Sequence, residues 1–283
     1  LIKRYAKSAD FTVMACDEFI DKIFYKYGYE LFGTIVGFNL PFDLSRLAIS
    51  HTAAHTTKRD KSMHGGFSVK LSPYPWCPPI QVKHLSRFVC FMRFAGYESL
   101  TNRSQRKHGR RVPYKRGYFL DVRTLAAALF SQSFTLETLA KSLAVASPKQ
   151  ATEEHGKTLT LEYLEYGRRD VETTWECYQA LRVRYDAMSL DTPITRIFSE
   201  ASIGKAYFDQ AGIQAWSKLQ NPKMPEKMLA SIISTFYGGR SEVRIRRELR
   251  QVVLCDFISM YPTVCTLMGL WQFVISKGMT WKD

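Results

Sequence analysis

The chain is short of acid. Its 283 residues carry 26 Asp and Glu against 40 Lys and Arg, a formal net charge of +14. Such a balance points to a polyanionic partner, of which nucleic acid is the commonest. The six cysteines (Cys16, Cys77, Cys90, Cys177, Cys255 and Cys265) are scattered, with no C-x-x-C pair among them. That spacing indicates neither a zinc ribbon nor a disulfide framework, and it fits reduced thiols in a cytoplasmic setting. No signal-peptide pattern follows Leu1, and there are no internal repeats. Only one long stretch lacks formal charge, Phe257 to Ser276. It is about long enough to span a bilayer. It also holds Pro262, Gln272, two Ser and two Thr, so a buried core helix is expected there and no membrane partner.

What is present alternates between strand-like and helix-like patterns, which predicts an α/β sheet domain. Helices are expected over Asp17–Tyr27, Pro41–Ile49, Leu125–Phe130, Leu136–Leu143 and Thr158–Met188. Strands are expected over Leu31–Phe38, Phe88–Phe94 and Tyr118–Val122, and His51–Val69 is expected to be a loop. Thr101 to Arg116 holds seven Lys and Arg and no acid, a pattern suited to DNA phosphate contacts or to a solvated loop. The pattern breaks near Asp191-Thr192-Pro193, a candidate domain boundary. Further helices are expected over Ser199–Ala211 and Met228–Phe236, and a basic strand or ribbon over Glu242–Arg250.

Four groups of residues carry chemistry. Asn39-Leu40-Pro41-Phe42-Asp43 follows the first strand, which puts Asp43 in a first helical turn where the helix dipole favours its ionised form. An ionised carboxylate at such a junction suits Mg²⁺. Tyr166 and Asp170 stand four apart on the long helix, hence on one face. A phenol beside a metal-binding carboxylate is able to orient a water for attack on phosphorus. The same helix is expected to bury a stripe through Leu164, Val171, Trp175, Tyr178 and Leu181. Phe236-Tyr237-Gly238-Gly239-Arg240 pairs glycines that admit close backbone approach with a following run of arginines. Val252 to Asp256 reads as a short buried strand ending in a carboxylate, and Phe257 to Pro262 as the turn and helix after it.

In their order these groups resemble family B DNA polymerases. N-x-x-F-D and Y-x-x-x-D are similar to the second and third motifs of the DEDDy 3′–5′ exonucleases, an RNase H-like fold. Asp256 to Pro262 (D-x-x-S-M-Y-P) is similar to the first polymerase motif of the palm. Leu120 to Leu143 also looks like that family. The resemblance implies an exonuclease domain over 1–190 with a mixed sheet, a helical linker over 191–235 and the start of a palm over 236–283. It implies that Asp43, Asp170 and Asp256 bind Mg²⁺, that Tyr166 positions the attacking water and that Asn39 meets a single-stranded 3′ end. Phe236, Tyr237, Gly238, Gly239 and Arg240 would contact the DNA primer-template. Ser259, Met260 and Tyr261 would bind the incoming dNTP, with Tyr261 under its sugar. The family's S/T-L motif for single-stranded DNA is matched by both Thr124-Leu125 and Thr135-Leu136.

There are two departures. Phe236 stands where the family has Tyr, which removes a hydroxyl. The family's D-x-E strand, source of two of its four exonuclease carboxylates, is not found upstream of Asn39; Asp17-Glu18 are adjacent and helix-like. We therefore expect an internal piece of a longer polymerase, close to the compact viral or mobile-element branch, that binds DNA but lacks complete metal sites. Two other readings fit the same residues: a stand-alone DEDDy exonuclease, and a catalytically dead DNA-binding scaffold.

Overall fold

The computed structural model of the chain describes residues 12, 14–56, 61–87, 89–95, 117–147, 160–213, 226–235, 243–253, 255, 257 and 259–276. The chain divides into two units, Leu1–Tyr207 and Phe208–Asp283.

The first unit opens with α1 (Cys16–Phe19), which runs on as a π-type helix over Ile20–Glu30. Strand β1 (Thr34–Gly37) follows, then α2 (Leu40–Leu47). Four strands come next: β2 (Ser50–Ala53), β3 (Phe67–Lys70), β4 (Ile80–His84) and β5 (Cys90–Phe94). After them come β6 (Tyr118–Asp121), α3 (Val122–Phe130), α4 (Leu136–Leu143) and the long α5 (Leu161–Asp186). A 3₁₀ turn (Ile194–Arg196) leads to α6 (Glu200–Gln210). The class is α/β, with both parallel and antiparallel pairing: β1 pairs with β6 in parallel, and β2-β3-β4-β5 form an antiparallel sheet.

Each element has a local cause. The π-type helix buries Ile20, Phe24, Tyr25 and Tyr29 along one stripe. Tyr29 and Phe119 meet Phe94 of β5 at ring distances of 4.9 and 4.8 Å. The Tyr25 hydroxyl donates to the Pro78 carbonyl at 2.8 Å, so a buried phenol keeps its partner. The register Thr34↔Tyr118 to Gly37↔Asp121 brings the C-terminal ends of β1 and β6 level. These are the ends that lead into α2 and α3, so both helix N-termini start at one edge.

A second core lies under α3, α4 and α5, built on Leu120, Leu125, Leu139, Cys177 and Leu181. Helix α4 is held at its start by a reciprocal cap between Thr135 and Thr138. Helix α5 buries Thr173, Cys177, Leu181 and Tyr185, every fourth residue. This corrects the expected stripe: Val171 and Trp175 are 69% and 50% exposed. Hydropathy favoured the larger apolar residues. Thr173 is nevertheless buried because its hydroxyl is satisfied by the carbonyls of Ser147 and Arg169 at 2.6 and 2.8 Å.

The expected loop over His51–Val69 contains two strands, β2 and the first part of β3. Every residue of β2 is exposed, so it has no apolar alternation for a sequence pattern to detect.

In the second unit, α7 (Glu226–Thr235), α8 (Met260–Leu267) and α9 (Trp271–Ile275) are the described helices. Residues 243–250 contain no strand, contrary to the basic ribbon expected there. The described residues between 251 and 257 are not a buried strand either; Val252 and Val253 are 78% and 87% exposed. A strand needs a ladder partner, and no described residue of 208–283 belongs to a ladder. The expected buried helix over Phe257–Ser276 is instead the two short helices α8 and α9, with no buried residue in either. Among the described residues no helix is long and apolar enough to cross a membrane.

Candidate nucleic-acid groove

At the level C-terminal edge of β1 and β6 an open groove of about 1110 Å³ runs between α2 and α5. Asn39, Asp43, Tyr166 and Asp170 all line it. Two motifs more than a hundred residues apart in sequence are thus brought to one place.

The turn that carries Asn39 is built by an unusual cap. Asn39 occupies the left-handed region at φ 65°, where Asn is among the more tolerated residues. Its side chain makes no cap bond to α2. The cap is supplied across the sheet: the Leu40 N–H donates to Asp121 Oδ1 at 2.9 Å. The other oxygen of the same carboxylate accepts from the Thr124 N–H at 2.9 Å and from the Thr124 hydroxyl at 2.7 Å. One buried carboxylate therefore starts α3 and fixes the entry to α2. The sequence motifs give Asp121 no role. The available signal was its place at a strand end with Thr three residues on, a capping pattern.

Asp43 lies one turn into α2. As a residue it is exposed, but its carboxyl group sits in the groove. Loss of surrounding water, and secondly the charge of Asp121, push its pKa from 3.8 up to about 6. The folded chain thus holds this proton more tightly than the unfolded chain. Ionising Asp43 costs stability, and the cost sets in as pH rises from about 4 to about 6.

The groove walls are aromatic. Phe19, Phe38, Phe42, Phe134 and Trp175 line it together with the Tyr163–Tyr166 pair, whose rings lie 5.9 Å apart and 15° from parallel. Arg46 caps the Phe42 ring at 4.8 Å. Val171 and Trp175, misplaced in the core by hydropathy, belong to this wall.

The two S/T-L candidates differ in the exposure of their threonines. Thr124 and Leu125 are buried at 2% and 1% exposure, and the Thr124 hydroxyl accepts from the Cys90 N–H at 3.2 Å. Thr135 is exposed and lines the groove together with Leu136, whose own exposure is 7%.

Among the described residues no group of three or more His, Cys, Asp or Glu gathers to hold a metal. Asp43 and Asp170 supply two carboxylates to the groove. Asp17 and Glu18 do not complete the set; Glu18 pairs with Lys22 at 2.8 Å on its own helix.

Phe236, Tyr237, Gly238, Gly239, Arg240 and Asp256 lie outside the described residues. Ser259, Met260 and Tyr261 are described at the start of α8: Ser259 is left-handed at φ 56°, and Met260 and Tyr261 are 50% and 70% exposed.

Comparison with protein-family models, curated proteins and solved structures finds no match to this chain.

Proposed function

We propose that this chain contributes the single-strand groove of a 3′–5′ exonuclease domain of RNase H-like type, and the first segment of a palm, to a family B DNA polymerase. One observation carries the reading: Asn39, Asp43, Tyr166 and Asp170 line a single groove with aromatic walls. In that reading the strand enters with bases against Phe42 and Trp175, since stacking on aromatic rings is tolerant of sequence. Asn39 meets the 3′ end with an amide that capping leaves uncommitted, and Thr135-Leu136 forms the S/T-L contact. In the whole protein the palm segment, through Asp256 and Tyr261, serves nucleotide addition on a primer-template with dNTP.

Mg²⁺ belongs to the proposal as the ion Asp43 and Asp170 would share. The described carboxylates do not complete a two-metal site, so no hydrolytic step is assigned to them. These residues bind and orient a strand.

Titration of a fluorescent single strand tests the proposal. If the bound strand meets the protein at ~4 phosphates, affinity falls roughly fifty-fold between 50 and 200 mM salt, and a duplex of the same sequence binds more weakly. No Mg²⁺-dependent trimming is expected from this chain. Robust trimming abolished by Asp43→Ala would show that the ligand set is complete after all.

A further inference from the structure

We propose that Arg123 is the phosphate-binding residue of the groove, holding the 3′-terminal phosphodiester of a single DNA strand. The proposal rests on the single-strand reading above and adds a named contact to it.

Arg123 stands second in α3, two residues after Asp121. Because Asp121 holds the Leu40 N–H, that point of α3 is fixed against the Asn39 turn. Among the described residues, Arg123 and Arg46 are the arginines that line the groove. Their settings differ. Arg46 lies in the last turn of α2, where a cation suits the helix dipole, and it is stacked on Phe42. Arg123 lies in the first turn of α3, where the dipole disfavours a cation, and it is half-buried. A cation kept in an unfavourable, partly desolvated position needs an anionic counterpart. The carboxylates of Asp43 and Asp170 line the same groove. A phosphodiester brought in by the strand is the stronger counterpart, because a guanidinium grips phosphate through two parallel hydrogen bonds.

The test measures binding in EDTA of an oligonucleotide with an ordinary 3′-terminal linkage and of one with a neutral methylphosphonate there. Arg123→Ala weakens the ordinary strand by about tenfold or more, the scale of a charge-assisted bond, and makes the salt slope about 0.7 shallower. The methylphosphonate weakens the wild type by the same factor. Combined, the two changes are no worse than either alone, a coupling that a purely structural role of Arg123 does not produce. Arg123→Lys restores the salt slope but not the full affinity. Losses that multiply, or an Arg123→Ala variant that binds like the wild type, overturn the proposal.

Val171→Glu separates the two levels. It adds a negative charge at an exposed groove position and should weaken any strand lying there. If Val171→Glu weakens binding and Arg123→Ala does not, only the Arg123 contact is wrong. If neither matters, or the wild type binds no strand, the groove reading falls with it.

Discussion

Gly117→Ala is expected to cost of order 3 kcal/mol or more of stability, and to leave little folded protein. Gly117 has φ +70°, in the left-handed region, and it immediately precedes β6. A Cβ there would lie 1.6 Å from the Gly28 carbonyl oxygen and 3.1 Å from that of Gly33. Both obstacles are backbone, so no side-chain rotation relieves them. The π-type helix and the β1–β6 pair cross so closely at this point that their spacing depends on a missing side chain. Gly65 is the control. It too has positive φ, +78°, but a Cβ added there would meet no atom within 4 Å. Gly65→Ala should show only the conformational cost, about 1 kcal/mol. Urea unfolding followed by circular dichroism compares the two. Equal midpoints for Gly117→Ala and the wild type would contradict the close crossing.

Asp121→Ala should destabilise the fold by about 2–5 kcal/mol. The lost α3 cap accounts for about 1–2 kcal/mol, and the buried Leu40 N–H left without an acceptor for about 1–3. The same substitution removes a negative charge beside Asp43. In the wild type, the Asp43 contribution to stability falls as pH rises from about 4 to about 6, because the folded chain holds the Asp43 proton more tightly. Asp43→Asn should abolish that fall. Asp121→Ala should narrow its window from above but not erase it, since loss of water is the first cause of the shift and Asp121 the second. Denaturant unfolding at pH 4, 5, 6 and 7 measures both effects. An Asp121→Ala chain as stable as the wild type would mean that α2 and α3 do not depend on this carboxylate.

The sequence made parts of this arrangement legible because their signals are local. Helix α4 was expected over Leu136–Leu143 and is found there, since its apolar spacing and Thr cap lie within one short segment. The N-x-x-F-D turn is legible because a strand and a Pro at the helix start are neighbours in sequence. What failed depends on contacts between distant segments. Strand β2 shows no alternation, for its residues are all exposed. Val171 and Trp175 look like core residues until α4 and α5 are seen to bury Thr173 and Cys177 instead. Thr124 and Thr135 match the same short pattern equally well, and only burial separates them. The role of Asp121 depends on Leu40, 81 residues away.

Photocrosslinking from the last nucleotide of a single strand tests the central claim most directly. An oligonucleotide ending in 4-thiothymidine is bound to the full chain, irradiated, and the attached peptides are identified. The account predicts attachment to groove residues of α2 and α5, chiefly around Phe42, Tyr166 and Trp175, and its loss with Val171→Glu. Attachment outside the groove, or attachment that is unchanged when the thionucleotide is moved to the 5′ end, would contradict it.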